Sequence, residues 1–257
     1  MMRSVGVIPA RMASSRFPGK PLAPLLGLPL VLHVWYRCRL FGEFDRLVVA
    51  TCDEEIRRTV ERAGGEAVMT AHSHERATDR TQEAVAKLSL RLADDDLILM
   101  VQGDEVLVSS EMLGAMVSRY RDSRPAAVNL ASRLYRVEDH DDPNTVKVVA
   151  APDGRAIYFS RAPIPSRARA KSVPMYQQTG VIGFSAEFLA RFSDLPQTPL
   201  EKIESIDMMR VIEHRLPLDL VFTDTETIGV DTPDDLRRAE RALASDPETR
   251  RYLAAAP

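Results

Sequence analysis

Residues 4–22 read SVGVIPARMASSRFPGKPL, and this stretch decides the fold. Ser4 to Pro9 is short, apolar and β-branched, and it stops at a proline, which predicts a buried strand. Ala10 to Pro21 is a polar loop punctuated by proline and glycine and carrying three cations, Arg11, Arg16 and Lys20. Working outward, PLVLHVWYRCRLF (29–41) predicts a helix with a proline near its first turn. RLVVAT (46–51) predicts a second strand, and Asp53 is placed to cap a helix from Glu54 to Ala63 that stops at Gly64-Gly65. Ala67 to Thr70 is a third strand, Thr78 to Leu92 a helix, and DLILMVQ (96–102) a fourth strand ending in Gly103-Asp104. The apolar runs of the longer strands are continuous and alternate with helices, which predicts a mostly parallel sheet with helices on both faces. Ligands bind such sheets outside the carboxyl ends of the strands. The loops 10–21, 51–55, 70–80 and 102–107 would converge there.

From about Val128 to Phe184 the texture changes to short strands, AVNLAS, NTVKVVA, AIYFS and TGVIGF, around a Pro/Arg-rich loop at 162–174. They predict a smaller mixed β extension spanning about 128–185. Residues 199–215 predict one helix with Thr198 as a possible cap, Asp219 to Phe222 a late strand, and GVDTPDDLRRAERAL (229–243) a helix capped by Thr232 with Pro233 as its first residue. The expectation is a single domain over 1–245, with 246–257 as a surface tail.

The 257 residues, 45% hydrophobic, can bury a full core. A net charge of −3 without a lysine-rich arm argues against a nucleic-acid partner. Cys38 and Cys52 form neither a CxxC pair nor a cluster with histidine, so a disulfide framework or zinc site is not expected. No apolar run approaches the length of a membrane span, and the N-terminal run is too short for a signal peptide. The reading is a cytoplasmic protein without a membrane partner.

The first loop holds the chemistry a triphosphate needs. Arg11, Arg16 and Lys20 supply charge, while Ser14, Ser15 and Gly19 allow close backbone approach. The spacing is not that of a Walker A loop. In VQGDEV (101–106), Asp104 at a strand end is a natural Mg2+ ligand with Glu105 behind it, since Mg2+ takes one or two carboxylates plus substrate phosphates. Asp231, just before a helix cap, is a second candidate ligand, although Asp-Thr-Pro is also an ordinary helix start. In HSHERATDR (72–80), His72 and His74 invite a metal reading that a polar loop without cysteine does not favour, and Arg76 and Arg80 are better placed to meet an anion. Without a nucleophile elbow or a Cys/His pair, the chemistry reads as positioning and charge neutralisation, which suits phosphoryl and nucleotidyl transfer.

The ordered set PAR-x-x-SSR-x-PGKPL (9–22), MT…H…TDR (69–80), QGDE (102–105), N-x-VKVV (144–149), YFSR-x-x-IP (158–165), LE-x-IE (200–204) and GVDTPDDL (229–236) resembles the CMP-Kdo synthetase (3-deoxy-manno-octulosonate cytidylyltransferase) family from about Val5 to Leu243. The resemblance implies a Rossmann-like nucleotidyltransferase fold, CTP as donor, Mg2+ as cofactor and a homodimer. It implies Lys20, Arg11 and Asp104 as catalytic residues and Asp104 and Asp231 as metal ligands. Ala10, Arg11, Ser14, Ser15, Arg16, Lys20, Thr78, Arg80 and Gln102 would bind the nucleotide. Gln102, Arg76, Gln178 and Met208 would face the acceptor.

The departures fall on the acceptor side. Where the family reads H-x-G-x-Y-x-Y-R, this chain has Gln178, Ile182, Phe184 and Ser185, and where it reads L-E-Q-L-R, this chain has Ile206-Asp207-Met208-Met209-Arg210. QGDEP becomes QGDEV at Val106, and SGTDR gains Arg76. Removing groups that would bind sugar hydroxyls lowers preference for a polyhydroxylated acceptor. The expectation is a small acidic acceptor other than ordinary Kdo, with a small phosphonate as one form; CMP-Kdo or amino-Kdo synthesis is the alternative. UTP or GTP as donor, and a non-catalytic nucleotide-binding protein, are further rivals.

Overall fold

The computed structural model describes residues 2–14, 16–170 and 172–254. In chain order its elements are β1 (Ser4–Ala10), a 3-10 turn (Lys20–Leu22), β2 (Pro24–Leu25), β3 (Leu28–Pro29), α1 (Leu30–Phe41), β4 (Arg46–Thr51), α2 (Glu54–Arg62), β5 (Glu66–Met69), α3 (Ala77–Lys87), β6 (Leu97–Val101) and α4 (Ser110–Ser123). There follow β7 (Ala127–Arg133), α5 (Val137–Asp141), β8 (Lys147–Ala150), β9 (Ala156–Ser160), β10 (Tyr176–Ser185), α6 (Ala186–Phe192), α7 (Pro199–Glu204), α8 (Met208–Glu213), β11 (Leu218–Thr223), α9 (Pro233–Ser245) and α10 (Pro247–Leu253).

The main sheet runs β11-β7-β10-β6-β1-β4-β5, with β8 and β9 attached to β10. β1 pairs in parallel with β4 and β6, β4 with β5, and β7 with β11, while β10 is antiparallel to both its neighbours β6 and β7. The mostly parallel sheet expected from the sequence is therefore present. Side chains of β6 alternate between two cores: Leu97, Leu99 and Val101 meet α1 residues such as Val31 and Trp35 on one face, and Ile98 and Met100 meet α6 residues such as Phe188 and Phe192 on the other. Burial on both faces is what makes LILMV a continuous apolar run. No helix among the described residues is long and apolar enough to cross a membrane.

Three expectations are corrected. β7 and β10 belong to the main sheet, so only β8 and β9 extend from it. The helix expected over 199–215 is two helices, α7 and α8, broken at Ser205 with φ 55°. A buried bidentate pair holds the break: Glu201 accepts from Arg210 Nε at 2.8 Å and Nη2 at 2.6 Å. Thr198 is the N-cap residue of α7, as expected, and Glu201 accepts from its backbone N–H at 3.3 Å in a capping box. Finally, 246–254 is no tail but α10 packed on α1. Tyr252 is 2% exposed, stacks on Tyr36 with ring centroids 5.4 Å apart, and its hydroxyl lies 2.6 Å from His33 Nδ1. Arg37, buried in α1, reaches Asp246, Glu248 and Thr249 as well as the Val108 carbonyl, so α10 buttresses the segment that follows β6.

Replacing Tyr252 by alanine should therefore destabilise the whole domain by about 3 kcal/mol, the scale of an aromatic-to-alanine change in a core. Urea unfolding of Y252A checks this; a shift within error of zero would mean that α10 is an independent appendage.

Candidate active site

The cleft forms where the carboxyl ends of β1 and β6 meet the start of α9. The β6 strand hands over to a tight turn: Gln102 donates its backbone N–H to the Gly180 carbonyl at 2.9 Å, and Gly103 donates to the Pro9 carbonyl at 3.2 Å. A Cβ at Gly180 would lie 2.8 Å from Gln102 side-chain atoms, so glycine here leaves the room that Gln102 fills. The turn presents Asp104. Val230 N–H donates to the Asp104 carbonyl at 3.2 Å and Glu105 forms a bridge with Gly229, which lays the α9 entry against the turn. Thr232 then caps α9, accepting from Asp235 N–H at 3.2 Å while Asp235 accepts from Thr232 N–H at 2.9 Å. Asp231 projects one residue before that cap.

Lys20 follows Gly19, whose φ of 75° turns the first loop back towards the sheet. Its Nζ donates to Asp104 Oδ2 at 2.6 Å and Asp231 Oδ1 at 3.2 Å. Arg16 donates to Asp231 Oδ2 at 2.8 Å. Burial lowers the Lys20 pKa, but the charge and hydrogen bond of Asp104, with Asp231 behind it, outweigh burial and hold it above the ordinary lysine value. Glu105 is 6% exposed and accepts from Gly180 N–H; burial first, and the neighbouring Asp104 second, push it up to about 7. The cleft encloses about 1130 Å3, with room for a nucleotide and a second small molecule.

Ala10, Arg11, Ser14, Arg16, Lys20, Arg76, Thr78, Arg80, Gln102, Asp104, Gln178, Met208 and Asp231 all border this one cleft, so the sequence reading is brought together in space; Ser15, and Lys171 of the basic loop, lie outside the described residues. Several are less available than their chemistry implied. Arg80 is 2% exposed and spends its guanidinium on Thr70 Oγ1 and the carbonyls of Ala71 and His74. Arg11 donates to the same His74 carbonyl at 3.2 Å. His74 pairs with Glu83, and among the described residues no three His, Cys, Asp or Glu side chains form a metal cluster. Ser14 accepts from Phe17 N–H at 3.2 Å, Gln178 donates to Asn129 Oδ1 at 2.7 Å, and Met208 is fully buried in the core beneath the cleft.

Arg76 is not a free cation. It stands 3.1 Å from Asp207, which also accepts from the Thr78 hydroxyl at 3.2 Å. Burial holds Asp207 above the usual carboxylate range, with Arg76 opposing. The two residues are 131 positions apart, and nothing in the sequence links them. Ile182 on β10, 4% exposed, completes an apolar wall with Met208 and Met100.

A strand-end cleft with paired carboxylates, a half-buried ammonium and further arginines has the chemistry of phosphoryl-group transfer. The chain belongs to the cytidylyltransferase family, whose model matches residues 5–219. It is 43% identical over 248 residues to the 3-deoxy-manno-octulosonate cytidylyltransferase of Syntrophobacter fumaroxidans, covering 95% of this chain and 98% of that one. It is 38% identical over 243 residues to an 8-amino-3,8-dideoxy-manno-octulosonate cytidylyltransferase of Shewanella, covering 93% of this chain and 98% of that one. A solved CMP:2-keto-3-deoxy-manno-octonic acid synthetase in complex with CTP superposes with a TM-score of 0.86 at 32% identity, covering 94% of this chain and 98% of that one. A 4-diphosphocytidyl-2C-methyl-D-erythritol synthase from Anaerococcus prevotii, at 15% identity and a TM-score of 0.64, shares the fold.

Arg76 and Asp207 should be energetically coupled. R76M leaves a half-buried carboxylate without its cation, and adding D207N should recover about 1 kcal/mol, a modest value because Arg76 is 36% exposed and partly screened. A double-mutant cycle by urea unfolding measures it; additive single changes would show that the pair contributes nothing.

Proposed function

We propose that this protein transfers a cytidylyl group from CTP to a small acidic acceptor and releases pyrophosphate. The observation that carries the reading is Lys20, poised between Asp104 and Asp231 at the mouth of a strand-end cleft. In the reaction an acceptor oxygen bonds to the α-phosphorus of CTP as the α–β phosphoanhydride bond breaks. Pyrophosphate leaves with the bonding pair, and the acceptor's proton, if it carries one, goes to solvent. Arg11, Arg16 and Lys20 bind the triphosphate and neutralise charge that builds on it; Ala10 and Ser14 allow close backbone approach. Lys20 and Arg16 exchange their carboxylate partners for phosphate oxygens as CTP enters. Gln102, which follows β6 and packs against Gly180, would lie between nucleotide and acceptor in this reading.

Mg2+ fits the residues present. Asp104 and Asp231 converge on a single ammonium, as two carboxylates sharing one hard cation would, and phosphates and water complete the coordination Mg2+ prefers. Bound there, it would supply charge neutralisation and lower the acceptor's pKa.

The acceptor wall supports an acid with few hydroxyl groups, because Ile182 and Met208 offer no hydrogen bonds and Gln178 is already engaged. Arg76 adds less net positive charge than its sequence position implies, since Asp207 faces it. A small phosphonate remains one form of such an acceptor. A second reading, an octulosonate or its 8-amino form, is favoured by the full-length similarity to transferases named for those acids. Homodimer assembly and a cytoplasmic location go with either reading.

Pyrophosphate release from each NTP with Mg2+ and a panel of Kdo, 8-amino-Kdo and phosphonoformate tests this. Release only with CTP is expected, and K20M or D104N should slow it by about 10²–10³-fold, the scale of removing one preorganised charge from such a site. Full activity in K20M, or equal turnover with UTP, would overturn the assignment. Rapid turnover of Kdo with none of phosphonoformate would decide for the octulosonate reading.

A further inference from the structure

We propose that Asp53 is a positioning residue for the phosphate-binding loop, acting through the backbone of Met12 and resting on the CTP reading above. Asp53 occupies the N-cap position of α2, with extended backbone at φ −109° and ψ 119°, yet its side chain makes no capping bond. Aspartate is among the best caps, and a side chain that forgoes this role is committed elsewhere. Its Oδ2 instead accepts the Met12 N–H at 2.8 Å, from a loop 41 residues earlier in the chain. The Met12 carbonyl in turn accepts from Gly19 N–H at 3.2 Å. Gly19 holds the φ of 75° that aims Lys20 at Asp104. Two hydrogen bonds thus run from the start of α2, through both backbone groups of Met12, to the residue before the central ammonium.

The relay matters because, among the described residues, the loop's other hydrogen bonds to the rest of the protein are made by the side chains of Arg11, Arg16 and Lys20. Within it, Phe17 N–H donates to Ser14 Oγ and Lys20 N–H donates to the Phe17 carbonyl, both at 3.2 Å and both internal to the loop. The side chains of Arg16 and Lys20 rest on Asp231 and Asp104, and those contacts are the ones a triphosphate displaces. Asp53 touches neither phosphate-binding cation nor either candidate metal ligand in the hydrogen-bond network. It therefore holds the base of the loop while the tip changes partners, and Arg11 and Lys20 need not be ordered at the moment of binding. The Thr51 hydroxyl accepts from Asp53 N–H at 3.1 Å and fixes the carboxylate's own backbone at the end of β4.

Two substitutions separate the relay from helix capping. Asp53→Ser keeps a side chain that can cap α2 but is one bond too short to meet Met12, while Asp53→Asn keeps an acceptor oxygen of the same reach. Calorimetric titration with CTP and Mg2+ should show D53S binding about tenfold more weakly, the scale on which supporting hydrogen bonds act, with an unchanged melting temperature. D53N should recover most of that affinity, and KM for CTP should rise in D53S more than kcat falls. Hydrogen exchange of the Gly19 amide in the ligand-free protein should be faster in D53S and near native in D53N. Native CTP affinity and native Gly19 protection in D53S would overturn the relay. If the unaltered protein binds no CTP, the donor assignment fails by itself, and the Gly19 exchange still decides the relay.

Discussion

The Lys20 ammonium is the contact on which the site depends. Asp104 lies on the turn after β6 and Asp231 precedes α9, and two carboxylates at such range repel each other unless a cation stands between them. Lys20 supplies that cation from the first loop, so three segments spanning most of the chain meet at one atom. The Val230–Asp104 backbone bond and the Glu105–Gly229 bridge give the same junction a framework that does not depend on charge. Glu105, a third carboxyl buried behind the pair, is pushed towards its neutral form by that burial first and by Asp104 second. Arg16 with Asp231 and Arg76 with Asp207 repeat the pairing around the cleft. On the function proposed, ligand entry would be an exchange of partners, in which phosphate oxygens replace carboxylates on cations already in place.

The sheet was legible where burial is two-sided. VGVI, LVVA and LILMV are continuous apolar runs because each strand faces a core on both sides, and the loops that follow them fell at the carboxyl ends where the cleft lies. β10 was legible as a strand but not as the antiparallel member between β6 and β7, since pairing partners far apart in sequence leave no local mark. The break at Ser205 escaped reading because a non-glycine residue with positive φ is held by tertiary contacts, here the Glu201–Arg210 pair. The last helix escaped because DPETRR looks solvated. Its polar residues point at Arg37, which is itself buried in an otherwise apolar helix.

Within the site, residue type was more legible than availability. Lys20, Asp104 and Asp231 were read from strand-end and cap positions and do converge. Arg76 and Arg80 were read as anion contacts from their charge, but one faces Asp207 and the other is consumed by a hydroxyl and two carbonyls. A sequence shows a guanidinium; only the fold shows what it already holds. Asp53 is the same case in reverse, a residue with an adequate local role as a helix cap whose side chain is spent across the cleft base.

The topology builds the cleft from two sets of elements. Lys20, Asp104 and Asp231 stand on the 3-10 turn of the first loop, on the turn after β6 and just before α9. Gln178 and Ile182 stand on β10, where Ile182 pairs with Met100 of β6, and Asp207 and Met208 stand at the N-cap and first residue of α8, beside the Glu201–Arg210 ion pair. The β10–β7 pairing even carries an irregularity between Gln178 and Ile182, a place where side chains can be re-aimed without moving the ladder on either side. Lys147, buried and pulled below its ordinary value by that burial, holds the neighbouring wall through the carbonyls of Asp142, Thr145 and Arg161 rather than through any group of the central sheet. On the function proposed, Gln178, Ile182 and Met208 would form the acceptor wall, and because they stand on other elements than Lys20, Asp104 and Asp231, their side chains can differ while those three are kept.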